Sequence, residues 1–401
     1  MEDNKNLYFI LFALSLGWTV LYADRTSLYP LLSVIGRDFN LNNTQLGTIT
    51  SSYFLVYVAM QIPGGIVADK VGKKRLIVLG ILTAGVSLFC FGLFGKSYSL
   101  LVLFAALHGL GAGTYYPCAY GIMLELVDSK HWGTSAAIIN LGMSFGLILG
   151  LAISGPLYMR FKSYSAIFIG LALFTMALSL LFIKILPEAE SRCNEKTNFF
   201  AVKEVLKNKN LLLLYIAQFC ALYGYWTAVT WGATFFKEER GIGMELAGLF
   251  VAIAGMSSII PSLVMGRISD IFGRKKIALI LFPLGALTLY LMAHVRTASA
   301  IILSLIAYGI IGKSSWDPIA VAWSGSHASA LGNEAASTAM GVFNFFGMMS
   351  AVVAPVVTGF IRDITGSLVA AYYVAAVLSL LGGSLVILVD EKLPQPDNKL
   401  G

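Results

Sequence analysis

Twelve apolar stretches alternate with short polar interruptions, at approximately 7–33, 45–68, 76–95, 98–123, 134–159, 164–186, 211–236, 245–265, 277–294, 298–324, 336–361 and 367–389. Most reach or exceed the roughly 20 residues with which a helix crosses ~30 Å of hydrocarbon. The ten-residue apolar/polar alternation of transmembrane barrel strands is missing, so the pattern predicts helices. The expected fold is all-α: a polytopic membrane protein of twelve transmembrane helices in two six-helix bundles.

The polar interruptions carry a second message. After the second stretch the chain reads Gly64-Gly65-Ile66-Val67-Ala68-Asp69-Lys70-Val71-Gly72-Lys73-Lys74-Arg75, and after the eighth Met265-Gly266-Arg267-Ile268-Ser269-Asp270-Ile271-Phe272-Gly273-Arg274-Lys275-Lys276. Gly65, Asp69, Gly72 and the basic trio recur at one offset of 201 residues, half of the 401-residue chain. A duplication of this kind organises the whole sequence. Asn140 and Gly155 echo in Asn344 and Gly359, at an offset of 204, and Pro117 echoes more weakly in Pro318. Six helices return the chain to its starting side, so the halves are expected to be parallel repeats. Their expected bounds are 1–186 and 211–401, joined by a cytoplasmic linker at 187–210 with an amphipathic surface helix around 199–206.

Composition agrees with a membrane protein. The chain is 57% hydrophobic and 12% charged, where a soluble domain carries about 25% charged residues. A net charge of +7 would suit nucleic acid, but its placement speaks for topology. Of the Lys and Arg residues at the edges of the stretches or between them, eighteen fall at the termini and even-numbered loops and eight on the opposite side. By the positive-inside rule both termini are expected in the cytoplasm, in the cell's inner or plasma membrane, with the bilayer and not nucleic acid as partner. The N-terminus has neither a basic n-region nor a small-residue cleavage site, so the first stretch is expected to be retained. Cys90, Cys118, Cys193 and Cys220 lack metal-ligand spacing, and no disulfide, metal or cofactor role is expected. Nor does any H-E-x-x-H, Cys/His cluster or nucleotide loop supply an enzyme's chemistry.

Charges within the apolar stretches narrow the candidates, because each costs ~2.5–3.5 kcal/mol to insert and normally faces a cavity with a partner. They are Asp24, Arg25, Lys313 and Asp317, with the histidines His108 and His294. Asp24 and Arg25 are adjacent, hence about 100° apart on a helix, and cannot share one direction. Trp18, Tyr22, Arg25 and Tyr29 form one face, expected to line a cavity. The planar fork of Arg25 suits a carboxylate of the substrate, or a structural acid such as Asp24 or Asp317. Asp24 is the best candidate proton carrier, since burial and a neighbouring guanidinium act on its proton affinity in opposite senses. Lys313 and Asp317, four residues apart, either pair with each other or leave Lys313 as a second cationic point. His108 is a packed histidine or a proton relay. Tyr22, Tyr57, Asn140, Trp316 and Asn344 are candidates for substrate contact, with core packing as the alternative for each aromatic. Gly109, Gly111 and Gly113, then Gly142, Gly146 and Gly150, are expected to let helix backbones approach closely.

The twelve-helix 6 + 6 pattern with its duplicated G-G-x-x-x-D-x-x-G-K-K-R loop resembles the major facilitator superfamily. The resemblance implies that the loop gates the cytoplasmic side, through Gly65, Asp69 and Arg75 and, as the weaker copy, Gly266, Asp270 and Arg274. A narrower likeness runs through Tyr22-Ala23-Asp24-Arg25-Thr26-Ser27-Leu28, Phe39-Asn40-Leu41, Gln45-Leu46-Gly47 and Gln61-Ile62-Pro63-Gly64-Gly65. It is similar to the anion:cation symporters, which include sugar-acid, vesicular glutamate and sialic-acid transporters. This implies alternating-access transport of a small organic anion, coupled to protons, by a chain expected to work as a monomer. A multidrug exporter of the same superfamily is the alternative. One departure affects the coupling scheme: Ala105 and Ala112 stand where that family carries an Arg and a Glu in its fourth helix. Asp24, Asp317 and His108 are the remaining candidates for the proton's path.

Overall fold

All twelve stretches are helical in the computed structural model, which describes residues 2–128, 131–187, 203, 205–329 and 333–391. Span 1 comprises α1 (Glu2–Thr26) and α2 (Leu28–Asp38), and spans 2 and 3 are α3 (Asn43–Val71) and α4 (Lys73–Phe94). Span 4 is α5 (Tyr98–Gly113) with α6 (Tyr115–Leu126); spans 5 and 6 are α7 (Trp132–Phe161) and α8 (Tyr164–Ile185). Span 7 is α9 (Lys209–Arg240), span 8 is α10 (Met244–Ser257) with α11 (Ile259–Phe272), and span 9 is α12 (Arg274–His294). Span 10 is α13 (Ala298–Ile311) with α14 (Lys313–Ser329), and α15 (Asn333–Thr365) and α16 (Val369–Ile387) complete the set. Most of the expected linker at 187–210, and of the surface helix within it, lies outside the described residues.

Four spans are broken in two, and proline chemistry accounts for three of the breaks. Ser27, Thr114 and Ser258 separate the paired helices, and each stands three residues before a proline: Pro30, Pro117 and Pro261. A proline removes the N–H that the carbonyl four residues earlier would receive. At membrane depth such a break persists only if neighbouring groups satisfy the freed backbone. The hydroxyls at the breaks bond back into the preceding turn, not to the freed carbonyls of residues 26, 113 and 257: Ser27 donates to Ala23 at 2.7 Å, Thr114 to Gly111 at 2.9 Å and Ser258 to Gly255 at 2.7 Å. Pro63, Pro156, Pro283 and Pro355 have no Ser or Thr three residues earlier, and they sit inside continuous helices. The fourth break, at Gly312, immediately precedes Lys313.

The duplicated loop folds the same way twice. Gly72 (φ 98°) and Gly273 (φ 97°) are single-residue hinges between consecutive spans, in a region that L side chains avoid. Each N–H closes the helix before it, on Ala68 and Ser269, both at 2.9 Å. Their carbonyls open the helix after it, accepting from Leu76 at 3.1 Å and Ile277 at 3.2 Å. The next residue reaches the end of the neighbouring span in both copies. Lys73 pairs with Glu125, and Arg274 donates to the Ala322 carbonyl (3.0 Å) and the Ser326 hydroxyl (2.7 Å).

The chain forms two compact units. One holds spans 1–6 together with Thr230–Ala252 and Pro355–Asp363. Within it one helix crossing is made twice. Cβ atoms at Gly47 and Gly359 would lie 2.2 Å from the carbonyls of Pro355 and Asn43, and at Gly248 and Gly155 2.0 and 2.3 Å from those of Leu151 and Met244. These positions are related by the same offsets of 201 and 204 residues. Among the described residues, the first crossing alone carries a charge clasp. Asp363 accepts from the backbone N–H groups of Asn43 (2.9 Å) and Thr44 (2.8 Å) at the start of α3, while Arg362 pairs with Glu238. The second unit holds the remainder of spans 7–12, around a core that includes Tyr215, Phe282, Trp316, Trp323 and Phe343.

Candidate functional site

Two glycine stripes set the positions of the charged side chains in the first unit. Gly142, Gly146 and Gly150 of α7 lie against Ser15, Thr19 and Ala23 of α1, where any Cβ would fall 1.9–2.5 Å from a backbone carbonyl. Gly109 and Gly113 of α5 lie in the same manner on the carbonyls of Tyr53 and Tyr57 of α3, at 2.2 and 2.7 Å. Four-residue spacing on both partners locks depth and rotation together, because only glycine admits such an approach. Asp24 and Arg25 on α1, Tyr53 on α3 and His108 on α5 converge as a result.

Asp24 and Arg25 are both buried, with 1% and 4% exposure, yet they do not bond to each other among the described contacts. Asp24 turns toward α8, where its Oδ2 accepts from the Thr175 hydroxyl at 2.7 Å. His108 Nε2 stands 3.9 Å from the same oxygen, beyond hydrogen-bond distance. Asp24 Oδ1 and His108 Nε2 have no hydrogen-bond partner among the described residues. A cavity of about 30 Å³ opens beside them, bordered also by Thr50 and closed by Leu88, Phe91, Phe104 and Phe168. Arg25 borders the same cavity but is held against aromatic rings. Its guanidinium lies 3.7 Å from the centre of the Tyr22 ring, with Phe54 at 5.1 Å and Tyr53 at 5.8 Å. Tyr22 therefore covers one face of the guanidinium, a cation–π arrangement that leaves the edge of the fork to make hydrogen bonds.

The expected face Trp18–Tyr22–Arg25–Tyr29 is present, though its outer members are packing groups. Trp18 meets Tyr115 at 4.7 Å and Tyr22 edge-on at 5.4 Å, and Tyr29 is fully buried beside the cavity. Tyr57 stacks on Tyr53 at 5.9 Å, which places it in the wall around Arg25. Asn140 is exposed and accepts from Tyr120.

The second unit contains the other charged candidates. Lys313 and Asp317 pair at 2.6 Å on one face of α14, and the second Asp317 oxygen accepts from Gln218 at 2.8 Å. Lys313 also lies 5.2 Å over the Tyr225 ring. Trp316 is packed in the core with its ring 4.8 Å from Phe282, and Asn344 is exposed. Among the gating candidates, Asp270 is bound by Arg274 at 2.9 Å and Arg75 is exposed. Gly65 and Gly266 face Pro117 and Pro318 at ordinary contact distance. The Asp69 side chain lies outside the described ones. His294 bonds to the Tyr290 carbonyl and to Tyr373.

Sequence reasoning missed Thr175, Tyr53 and Glu125. Glu125 had a signal, since Ser326, which Arg274 reaches, is its counterpart at the 201-residue offset. Thr175 had none, being one hydroxyl among many in apolar helices.

A family model described as Major Facilitator Superfamily matches residues 9–355. The chain belongs to that superfamily. Among curated relatives, this transporter is 25% identical to the probable galactarate/D-glucarate transporter GudP of Bacillus subtilis, over 98% of this chain and 96% of that protein. It is 26% identical to the probable sulfoacetate transporter SauU of Cupriavidus necator, over 99% and 97%. A crystal structure of a bacterial homolog of the lysosomal transporter Spinster superposes with a TM-score of 0.80, covering 96% of this chain and 97% of that one. At 15% identity, that likeness establishes the fold alone.

Proposed function

We propose that this transporter moves a small organic anion, carrying a carboxylate or sulfonate, by alternating access coupled to protons. Arg25 is the anion clamp, and the observation that carries the reading is its burial with one face held by Tyr22. An always-charged fork inside an apolar helix bundle has a strong preference for a planar or tripodal oxyanion. The relatives named as sugar-acid and sulfoacetate transporters support the same class. Asp24 is the proton carrier. Asp317 is a weaker candidate, because both its oxygens already accept from Gln218 and Lys313. His108, which borders the same cavity 3.9 Å from Asp24, is the further candidate for the proton's path. The charged loops, with Gly65, Asp69, Gly266 and Asp270, are the gating elements, and both termini lie in the cytoplasm of a protein that works as a monomer.

A thermal-shift screen of the purified protein against small carboxylates and sulfonates, at about pH 5.5 and about pH 7.5, tests this. A ligand at a hundredfold excess over its dissociation constant stabilises the folded state by about 2.7 kcal/mol. Stabilisation by a dicarboxylate or sulfonate, lost in Arg25→Lys, is the expected result. Silence from every anion, with stabilisation by amphipathic cations, would replace this reading with that of a multidrug exporter.

A further inference from the structure

We propose that Thr175 is the positioning residue of the proton carrier: its hydroxyl holds Asp24 against α8 in both the loaded and the unloaded state. The proposal rests on the reading of Asp24 as the group that carries the proton. Thr175 is fully buried, and its Oγ1 lies 2.7 Å from Asp24 Oδ2 and 3.0 Å from the carbonyl of Leu171, one turn back on α8. Both distances are those of ordinary hydrogen bonds, but a hydroxyl has one hydrogen to give. The two bonds are therefore alternatives for the same proton donor.

That competition has a direct consequence for loading. While Asp24 is ionised, Thr175 donates to Oδ2. When Asp24 takes a proton from water onto Oδ2, its own O–H donates to Thr175 Oγ1, and the Thr175 hydrogen turns to the Leu171 carbonyl. One hydrogen bond between α1 and α8 exists in each state, and no heavy atom has to move. The contact to Leu171 also selects the threonine rotamer that keeps Oγ1 in place, since a helical Thr is held by its bond to the preceding turn. A donor-only partner, such as an ammonium, would favour the ionised carboxylate, whereas a hydroxyl serves either state.

The other groups facing Asp24 do not supply this: the Thr50 hydroxyl of α3, which also borders the cavity, has no hydrogen-bond partner among the described residues. His108 of α5 stands 3.9 Å away, beyond bonding distance, and Tyr53 of α3 is engaged with Arg25. Arg25 lines the same cavity, with its guanidinium held against the Tyr22 ring and no bond to Asp24 among the described contacts. The α7 face seated on α1 is the glycine stripe, and α4 brings only Leu88 and Phe91 to the cavity.

Infrared difference spectroscopy on the full chain in lipid, stepping the pH, provides the test. The carboxylic C=O band of protonated Asp24 is the one that disappears in Asp24→Asn. In Thr175→Val that band should move to higher wavenumber, as a carboxyl that has lost its acceptor, while Thr175→Ser leaves it in place. Thr175→Ala should behave as Thr175→Val does, should the latter fold poorly. pH-driven uptake should fall by about tenfold or more in Thr175→Val, the scale of one hydrogen bond to a charged group, with Thr175→Ser restoring it. An Asp24 band that stays at the same wavenumber in folded Thr175→Val overturns the role of Thr175 and leaves Asp24 as the carrier. If Asp24→Asn removes no band, Asp24 does not titrate, and the proposal falls together with the reading beneath it.

Discussion

Each of the two units holds a pair of opposite charges within its helices, and the pairs behave differently. In the second unit Lys313 and Asp317 are four residues apart on one face of α14 and bind each other at 2.6 Å. In the first unit Asp24 and Arg25 are adjacent and point apart around α1: Asp24 takes Thr175 of α8, and Arg25 lies against Tyr22 of its own helix and Phe54 and Tyr53 of α3. Spacing of four lets opposite charges satisfy each other locally, while spacing of one forbids it. The local pair is a brace about 28–29% exposed at its side chains. The divided pair is buried, at 1% and 4% exposure, and neither member is used up by the other.

The largest expected break of this contrast is Asp24→Asn. Net pH-driven uptake should vanish while exchange of substrate for substrate persists, measured in proteoliposomes with and without a pH gradient. Surviving pH-driven uptake would remove Asp24 from the proton's path. Arg25→Lys comes next. An ammonium cannot make the two-pronged contact and loses the stacking on Tyr22, so anion affinity should fall on the order of tenfold to a hundredfold. The folded yield should stay near that of the unsubstituted chain, and unchanged affinity would discard Arg25 as the clamp. The smallest effect is expected at the brace. A double-mutant cycle of Lys313→Met and Asp317→Asn, read by thermal unfolding, should give a coupling of about 0.5–1 kcal/mol. Lys313→Met should leave anion binding within about twofold, on the scale of a rim charge. A larger loss would make Lys313 a second cationic point and erase the distinction between the two centres.

The helix breaks show a limit of reading hydropathy alone. The apolar stretches have the right length and order, and span 1 reads as uninterrupted although it is two helices. The signal was available in Ser27-x-x-Pro30, Thr114-x-x-Pro117 and Ser258-x-x-Pro261, where a hydroxyl precedes a proline by three. Pro318 shows that the signal is incomplete: Ser315 precedes it by three, yet the break lies earlier, at Gly312. The rarity of Asp24 and Arg25 in an apolar stretch marked them as candidates without any structure. The glycine stripes, too, were visible as close-packing faces, though not which helices they would meet.

Sequence by itself determined the twelve spans, the duplication and the two hinge glycines, because length, hydropathy and backbone permissiveness are local properties. It also determined that Lys313 could reach Asp317, since four-residue spacing is geometry internal to one helix. Only the tertiary structure decided that Asp24 meets Thr175, 151 residues away, or that Arg25 lies beside Tyr53 and Phe54 of α3. Those partners depend on the rotation and depth at which α1, α3, α5 and α8 pack. In lipid, these are set by the summed fit of many small contacts between helices, and no single residue's chemistry specifies them.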